Sequence, residues 1–480
     1  MNYRFGKAIV AILLLIVMVQ FFSSCKKDTF LTNGGTLSFS TDTLKFDTVF
    51  TTLGSVTRSF KIYNTNNKRV KINQIRLEKG TQSYFRMNID GVPTKDISDI
   101  EIAANDSIYV FVALTINPTN GNNPFIIEDK VVVNLNNTIS AIPLEAYGQD
   151  AHFISDSVLK SQTWMNDKPY VIIHSCLVDS AQVLTIQKGC RIYMHADSKM
   201  YVAGTLKVFG TKTDSVVFQG DRLDRDYFGY KDTPSEWGGF YFTQSSNQCN
   251  LNYCVIKNAG NSTGDGAFPA AVLVAPTPNL GGPIVEFNSC TIANSGGYGV
   301  LAFNTNLHFN NCLIHSCGLQ NVLITEGGDY EFNYCTIANY GGYGLNHAQE
   351  PTAVFINYRE LSDGNFVGNN LKLKCVNTII YGSLEDEVLF DKKSTWAYDV
   401  KMENSLLKRK TPITAGLINE VNALAYNSDP QFINYGKWNF HPKTTSPVKG
   451  AGVYLPLYPF DLDGNNRSTT APSVGCYEVQ

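Results

Sequence analysis

The sequence predicts an all-β protein in which a β-sandwich precedes a long parallel β-helix. Two copies of one phrase, beginning at Phe287 and Phe332, are nearly identical, and a weaker copy begins at Phe309. Cys290, Cys312 and Cys335 lie 22 and 23 residues apart in these copies. That period is too short for a pair of helices and fits one coil of a β-solenoid. Alternating apolar and polar residues before each cysteine predict short strands with one buried face.

Further copies align if the inward position can be cysteine or asparagine. The predicted ladder of stacked inward side chains comprises Cys254, Cys290, Cys312, Cys335, Asn377 and Asn404. In-register stacking would place its neighbours about 4.8 Å apart along the axis. Gly-Gly-Tyr-Gly and Asn-Ser-Gly-Gly phrases supply the corners that each coil needs.

Composition predicts a large globular chain and excludes nucleic-acid binding as its main role. The 480 residues are 43% apolar and 17% charged, with a net charge of −3. This length and apolar fraction predict more than one domain. The basic run at residues 408–410 is interpreted as a solvated turn, because nucleic-acid binding needs a larger basic surface.

The N-terminus has the features of an export signal. Arg4 and Lys7 precede an apolar run at residues 8–19, which is shorter than a membrane-spanning helix, and small residues follow it. The small residues that end in Cys25 resemble the lipobox of bacterial lipoproteins, and the start of the mature chain resembles Bacteroidetes lipoproteins. The resemblance implies a signal peptide at 1–24, acylation of Cys25 and a polar tether at 25–35. The alternatives are an ordinary secretory signal and a short membrane anchor.

A lipid anchor would place the protein in the bacterial cell envelope. The expected location is the outer membrane, with the protein either periplasmic or exposed at the surface. The membrane would then be a partner through the lipid alone.

Residues 36–150 lack the repeat and read as separate strands with alternating patterns. Seven strands are predicted, at residues 44–46, 59–63, 70–77, 85–89, 107–114, 131–135 and 142–146. The order of strands and turns, with Phe60 to Asn66 and then Ala103 to Ser107, resembles immunoglobulin-like domains of the ASPM/SPD-2/Hydin type. Such domains act as spacers or interaction modules, which is the role that the resemblance implies.

Residues 155–480 carry the β-helix pattern. L-T-I-Q-K-G-C-R-I-Y at Leu184, Y-V-A-G-T-L-K-V-F-G-T at Tyr201 and E-W-G-G-F-Y-F at Glu236 resemble the opening coils of right-handed parallel β-helices of the pectate-lyase-like superfamily. A closing segment at 429–480 resembles the C-terminal part of the same branch. The superfamily includes polysaccharide lyases, glycosidases, esterases and non-catalytic surface proteins, so the resemblance implies the fold and leaves the activity open.

Ten cysteines remain after Cys25, and the repeat spacing predicts that most are small buried side chains. Disulfides between Cys312 and Cys317, or between Cys249 and Cys254, remain open alternatives. There is no C-x-x-C pair, and the seven histidines are scattered, so no metal site is predicted.

Three insertions between strands could build a binding groove, at residues 221–236, 258–283 and 346–370. Long loops in compact repeats often carry function, and tolerated surface variation is the alternative interpretation. The first insertion combines carboxylates, guanidinium groups and aromatic rings that suit sugars. The candidate substrate-binding residues are Asp221, Arg222, Asp224, Arg225, Asp226, Tyr230, Glu236, Trp237 and, in the third insertion, His347.

The same residues allow other interpretations. Asp221, Asp224 and Asp226 could hold Ca²⁺, the one cofactor considered, but three aspartates supply too few oxygens by themselves. An Arg–Asp network that pins the loop is favoured over a sugar site. His347 could be an acid or base, although a solvated loop histidine is favoured.

No catalytic residue can be assigned, since the polygalacturonase signatures are missing. The predicted function is therefore that of a lipid-anchored envelope protein that binds extended glycans or a surface partner, with no catalysis demonstrated by the sequence. The alternatives are a polysaccharide lyase or glycosidase acting in a loop-lined groove, and a purely structural or adhesive protein.

Overall fold

A computed structural model of the chain describes residues 29–119, 121, 124–223, 229, 232–262, 264, 266–277 and 282–480. The chain divides into two compact units between Asp150 and Ala151. The predicted signal peptide and Cys25 lie outside the described residues. Within the described residues, no helix combines the length and the apolar character that crossing a membrane would require.

The first unit is a sandwich of two five-stranded sheets. The first sheet is antiparallel and contains Leu37–Phe39, Arg58–Asn64, Phe85–Ile89, Val92–Thr94 and Ser107–Leu114. The second sheet contains Leu44–Phe50, Val70–Leu77, Asp96–Ile102, Phe125–Leu135 and Thr138–Gln149. Its one parallel pair joins Thr138–Gln149 to Leu44–Phe50. All seven predicted strands are present, and Leu37–Phe39, Val92–Thr94 and Asp96–Ile102 are additional.

Alternation along the strands builds the sandwich core. In Arg58–Asn64 every second side chain is buried, and Phe60 and Ile62 are among them. These side chains join Val70, Ile72 and the other inward residues of both sheets in one apolar cluster. Burial of this cluster supplies the main driving force for folding of the unit.

The second unit is a parallel β-helix with three faces, here called sheets A, B and C. Sheet A contains Lys199–Val202, Gly239–Phe242, Ala270–Val274, Ala353–Ile356 and Val388–Asp391. Sheet B contains Gln162–Trp164, Val183–Gln187, Thr205–Phe209, Cys249–Asn252, Val285–Asn288, Leu371–Val376, Tyr398–Glu403 and Asn419–Val421. Sheet C contains Arg191–Met194, Val216–Gly220, Cys254–Lys257, Thr291–Ala293, Leu313–His315, Thr336–Asn339, Ile379–Gly382 and Leu406–Leu407.

Four longer strands bend around a corner and belong to two faces. His152–Leu159 and Tyr170–Val178 pass from sheet C to sheet A, while Tyr298–Asn310 and Val322–Asn333 pass from sheet A to sheet B. Each strand pairs in parallel with the equivalent strand one coil later. The predicted fold class, a sandwich followed by a parallel β-helix, is confirmed.

Inside the helix, residues of the same type stack on one another from one coil to the next. The rings of Phe287, Phe309 and Phe332 stack face to face, with centroids 4.7 and 4.8 Å apart. These distances match the spacing between strands in a sheet. The repeated phrase in the sequence therefore reflects one interior position that occurs once per coil.

The cysteine ladder is confirmed for four residues and was wrong for the two asparagines. The strand register aligns Cys254, Cys290, Cys312 and Cys335 on successive coils. The next residues in that register are Thr378 and Ser405. The Cys335 thiol donates to the carbonyl of Asn333 at 3.5 Å, and the Thr378 hydroxyl donates to Val376 at 3.3 Å in the same way. This interior position thus needs a side chain that is small and can donate a hydrogen bond. Asparagine can donate, but its side chain is larger than those of cysteine, threonine and serine.

Asn377 and Asn404 instead occupy the corner residue just before the ladder. Both have positive φ angles, 54° and 46°, as do Ser289, Asn311 and Tyr334 at the equivalent corners. Asparagine adopts this left-handed conformation more readily than most residues. The Asn377 side chain also donates to the carbonyl of Val453 at 2.7 Å and so holds the closing segment.

The ten described cysteines are free and buried, so neither proposed disulfide is present among them. Burial raises the pKa of the Cys176 and Cys317 thiols to about 12, and of the Cys190 thiol to about 11. These three thiols are therefore protonated, unreactive packing groups at neutral pH.

The closing segment at 429–480 packs along the outside of the helix. It contains the hairpin Phe432–Asn434 and Asn439–Pro442, with the 3-10 turn Tyr435–Lys437 between them. The Arg467 guanidinium lies 3.7 Å from the centre of the Tyr334 ring and donates to Asn311 at 2.9 Å. Asp461 accepts from the backbone of Asn465 at 2.7 Å and so closes a turn there.

Candidate functional site

The first insertion places its described candidates against the helix. The Asp221 carboxylate lies 2.6 Å from Nδ1 of His195 and is largely buried. That hydrogen bond raises the pKa of His195 above its usual value. The Glu236 side chain packs against Gly220, and Arg222 is exposed. Asp224, Arg225, Asp226 and Tyr230 lie outside the described residues, so their predicted roles stay predictions.

Trp237 is not available to stack on a sugar. Its side chain is fully buried and packs edge-on against Phe240 inside the helix. Its indole nitrogen donates to the carbonyl of Lys257 at 2.9 Å. The prediction was wrong because Trp237 lies two residues before the sheet A strand Gly239–Phe242 and packs into the core of the helix.

His347 is likewise a buried structural group. Its Nε2 lies 2.9 Å from the Glu387 carboxylate, and the side chains are 2% and 0% exposed. Glu387 also accepts from the Thr352 hydroxyl and from the Leu384 backbone, both at 2.6 Å. This network holds the loop at residues 341–352, so His347 is neither solvated nor presented to a substrate.

The second and third insertions are not single loops, as the sequence suggested. Ala270–Val274 and Ala353–Ile356 are rungs of sheet A. The flanking loop residues cover an outward apolar row of that sheet. Ala267 packs against Leu273 and Leu301, which are only 5% and 1% exposed. Ala267 of the second insertion therefore helps to shield an apolar surface of sheet A.

The outward face of sheet B carries the richest aligned set of polar side chains. Six successive members of one polar row are all partly exposed. In order along the axis they are Asn250, Glu286, His308, Glu331, Lys374 and Lys401, here called the first row. The same register continues to Lys207 before them and to Asn419 after them. Five intervals between coils give the first row a length of about 24 Å.

A second polar row runs beside the first. It comprises Asn306, Asp329, Lys372 and Asp399 on four successive coils. The two rows are named the sheet B groove. Together they bring amides, carboxylates, ammonium groups and one imidazole to a single straight surface.

Two cavities lie along the edge of the sheet B groove, at the corner between sheets A and B. The first, about 480 Å³, is lined by Asn247, Gln248, Cys249, Asn250, Gly282, Pro283 and Glu286. The second, about 600 Å³, is lined by Thr277, residues 304–306, Gly328, Asp329, residues 369–372, Ala397 and Asp399. These volumes lie in the range of small-molecule sites. On the opposite side, Tyr458 of the closing segment hydrogen-bonds to the Asn333 side chain.

The charges in the first row change sign along the axis. Glu286 and Glu331 lie on earlier coils, and Lys374 and Lys401 follow on later ones. Within the described chain, the Lys374 side chain forms no hydrogen bond or ion pair.

Two side chains of the second row form an ion pair, and the other two have polar atoms without a hydrogen-bond partner among the described residues. The Lys372 ammonium lies 3.0 Å from Asp329, and this hydrogen bond raises the pKa of Lys372. Asp399, one coil further on, makes no hydrogen bond to another described residue. Asn306 presents a buried side-chain oxygen that has no donor among the described residues. An unpaired buried acceptor is costly, so a donor from a bound molecule would stabilise it.

Sequence analysis missed the sheet B groove, although a signal for it was present. The outward residue of each strand lies between two apolar residues, as in V-E-F at Val285, L-H-F at Leu307 and Y-E-F at Tyr330. Reading that middle position down the repeats recovers the first row. No group of three or more histidine, cysteine, aspartate or glutamate side chains in the described chain is arranged to hold a metal ion.

No family model and no curated protein matches the chain. Among solved structures, a family 123 glycoside hydrolase from Clostridium perfringens is 8% identical over 23% of this chain and 25% of its own, with a TM-score of 0.18. A protein of unknown function from Porphyromonas gingivalis W83 is 9% identical over 26% of this chain and 60% of its own, with a TM-score of 0.17.

A PapD-like domain of human CEP192 is 10% identical over 26% of this chain and 94% of its own, with a TM-score of 0.17. The matched segments span only a quarter of the hydrolase and three fifths of the P. gingivalis protein. At these TM-scores the similarities carry no conclusion about function.

Proposed function

We propose that this protein binds an extended glycan in the sheet B groove and does so as a binding protein. The observation that carries the proposal is the in-register polar row across six coils, flanked by two cavities. A linear glycan has hydroxyl groups at regular intervals, and a regular row of acceptors and donors can meet them repeatedly. Each contact is modest, and several in series provide the affinity.

The chemistry of the groove favours a glycan over other linear chains. Nucleic acid would require a continuous basic surface, whereas Glu286, Glu331, Asp329 and Asp399 are acidic. A peptide that adds a strand needs an open sheet edge, and the groove lies on a sheet face. Carboxylates and amides beside ammonium groups suit hydroxyls and occasional acidic substituents.

The proposal includes an anchored location, which rests on the sequence alone. Acylation at Cys25 would attach the protein to the outer membrane, and the sandwich would act as a spacer. Labelling of cells with an alkyne fatty acid tests this: the chain should be labelled, and Cys25→Ser should abolish the label. Labelling that survives in Cys25→Ser would refute acylation at this residue.

Binding is tested with the full chain and a panel of polysaccharides. Lys374→Ala and Asp399→Ala should each weaken binding of the preferred glycan by roughly tenfold, which corresponds to about 1.4 kcal/mol. The matched controls remove exposed charges outside the groove and should bind normally: Lys188→Ala lies two coils before Asn250, and Asp42→Ala lies in the sandwich. If the panel yields no binder, the structural or adhesive alternative replaces the proposal, and a surface protein becomes the expected partner.

One observation favours a glycosidase as the second candidate. Asp329 and Asp399 lie two coils apart in the second row, a Cα separation of about 10 Å by strand spacing. Inverting glycosidases place their two carboxyl groups about 6.5–9.5 Å apart. Release of reducing ends from the bound glycan, lost in both Asp329→Asn and Asp399→Asn, would establish this activity. Unsaturated products would indicate a lyase instead.

A further inference from the structure

A third pocket lies where sheet C meets the hairpin of the closing segment. Its volume is about 500 Å³. It is named the tyrosine–lysine pocket and is lined by Tyr340, Tyr381, Gly382, Ser383, Lys408, Asp429, Gln431, Phe432, Tyr435 and Lys443. None of these residues belongs to the sheet B groove.

One wall of the pocket is a stacked pair of aromatic rings. The rings of Tyr340 and Tyr435 lie 4.0 Å apart with an angle of 13° between their planes. Phe432 meets Tyr340 edge-on at 6.3 Å and supports it from the hairpin side. Tyr435 is 49% exposed, so its outer surface is accessible. Such flat, fixed rings suit the apolar face of a sugar.

The pocket also holds two ammonium groups without a carboxylate partner. Lys408 lies 5.0 Å from the centre of the Tyr381 ring and donates to the carbonyl of Gly382. An ammonium has three N–H donors, so Lys408 retains donors for a ligand. The Lys443 side chain makes no hydrogen bond or ion pair within the described chain.

Acceptors complete the lining. The Asp429 carboxylate takes one hydrogen bond, from the Gln431 backbone at 2.7 Å, and keeps acceptor capacity for hydroxyl groups. The Gln431 side-chain oxygen is already used by Thr445 at 2.5 Å, which orients its amide. The pocket therefore offers stacking, positive charge and hydroxyl acceptors in one place.

We propose that the tyrosine–lysine pocket binds a sugar that bears a carboxylate, such as a hexuronate. The carboxylate pairs with Lys408 and Lys443, the ring lies on the tyrosine wall, and hydroxyl groups donate to Asp429. A neutral sugar would leave both ammonium groups unused. Inorganic phosphate would use the lysines and ignore the aromatic wall. Both compounds should therefore bind more weakly.

Calorimetric titration of the full chain tests the pocket with four probes: a galacturonate disaccharide, a glucuronate disaccharide, a glucose disaccharide and inorganic phosphate. At least one uronate should bind about tenfold more tightly than glucose disaccharide or phosphate. Lys443→Ala and Tyr435→Ala alter exposed side chains, so the fold should persist, which circular dichroism checks. Each should weaken uronate binding by roughly tenfold, while Lys449→Ala, on the same segment outside the pocket, should not.

The groove variant Lys374→Ala separates this site from the proposed glycan groove. It should leave disaccharide binding in the pocket unchanged, even where it weakens binding of long chains. Equal binding of glucose disaccharide, tighter binding of phosphate, or uronate binding that survives in Lys443→Ala and Tyr435→Ala would overturn the inference. Failure of long-chain binding with intact uronate binding would instead count against the groove alone.

Discussion

At the scale of single residues, burial determines which polar and aromatic side chains can contact a ligand. Trp237 and His347 are residue types that often bind sugars or move protons, yet both are enclosed and hydrogen-bonded to structural partners. Lys374 and Asp399 have no such partners and remain partly or fully exposed. Lys374 and Asp399 can therefore exchange water for a ligand without breaking internal contacts.

His315 should make the protein sensitive to acid. It is buried between Trp438 and Phe440, with ring centroids at 5.3 and 4.8 Å, and burial lowers its pKa to about 3. The unfolded value is about 6.5, so protonation favours the unfolded chain. The stability that neutral His315 contributes is complete above pH 6.5 and falls by about 1.4 kcal/mol per pH unit towards pH 3.

Urea unfolding at pH 7 and pH 4.5 measures this effect. The wild-type protein should lose up to about 3 kcal/mol more than His315→Gln between these pH values. His174→Gln, which removes an exposed histidine, serves as the control and should lose as much as the wild type. Equal losses in the wild type and His315→Gln would contradict the assignment of a neutral buried imidazole.

At the scale of elements, the repeat predicted the coil correctly and misplaced its last rungs by one residue. N-T-I at Asn377 looks like C-T-I at Cys335, and the match of two letters suggested a shared register. The strands instead align Cys335 with Thr378, because the interior needs a small donor and the corner needs a left-handed residue. Side-chain volume and backbone conformation, rather than letter identity, determine the register.

Substitution of Cys335 tests that register. Cys335→Thr should cost less than about 1.5 kcal/mol, because Thr378 fills the equivalent position with the same hydrogen bonds. Cys335→Asn should cost about 1–3 kcal/mol more, since the larger amide overfills a buried site. Denaturant unfolding compares the two, and an asparagine variant as stable as the threonine variant would restore the predicted asparagine ladder.

The candidate site was less predictable than the fold, for a physical reason. The fold follows from local alternation and repeated corners, which single strands display. The groove depends on which residues of different coils lie side by side, and insertions of unequal length between rungs hide that alignment. Glu331 and Lys374 are 43 residues apart in the chain and direct neighbours in sheet B.

At the scale of the whole molecule, each compact unit has its own apolar core. The sandwich core is a separate cluster from the core of the helix. The fragment 29–150 should therefore fold by itself and unfold in one cooperative transition. Val110→Asp places a charge in its core and should abolish that transition. A fragment that shows no cooperative unfolding in urea would refute the independence of this unit.

The β-helix turns a short repeat into a long, straight surface, and the proposed function uses that length. The first row of the sheet B groove spans about 24 Å, so a bound chain should gain contacts with each added sugar until the row is filled. A site that held only one or two sugars would not need six aligned coils.

The most direct test is the affinity of the full chain for an oligosaccharide series, from disaccharide to octasaccharide, made from the polysaccharide that binds best. The affinity should rise with chain length most steeply up to about five or six sugars, the number that spans the six coils from Asn250 to Lys401. Lys374→Ala should flatten that rise, and Lys188→Ala should not. Two results would contradict binding along the sheet B groove. One is a disaccharide that binds as tightly as the longer oligosaccharides, and the other is an affinity that rises with chain length in Lys374→Ala as much as in the wild type.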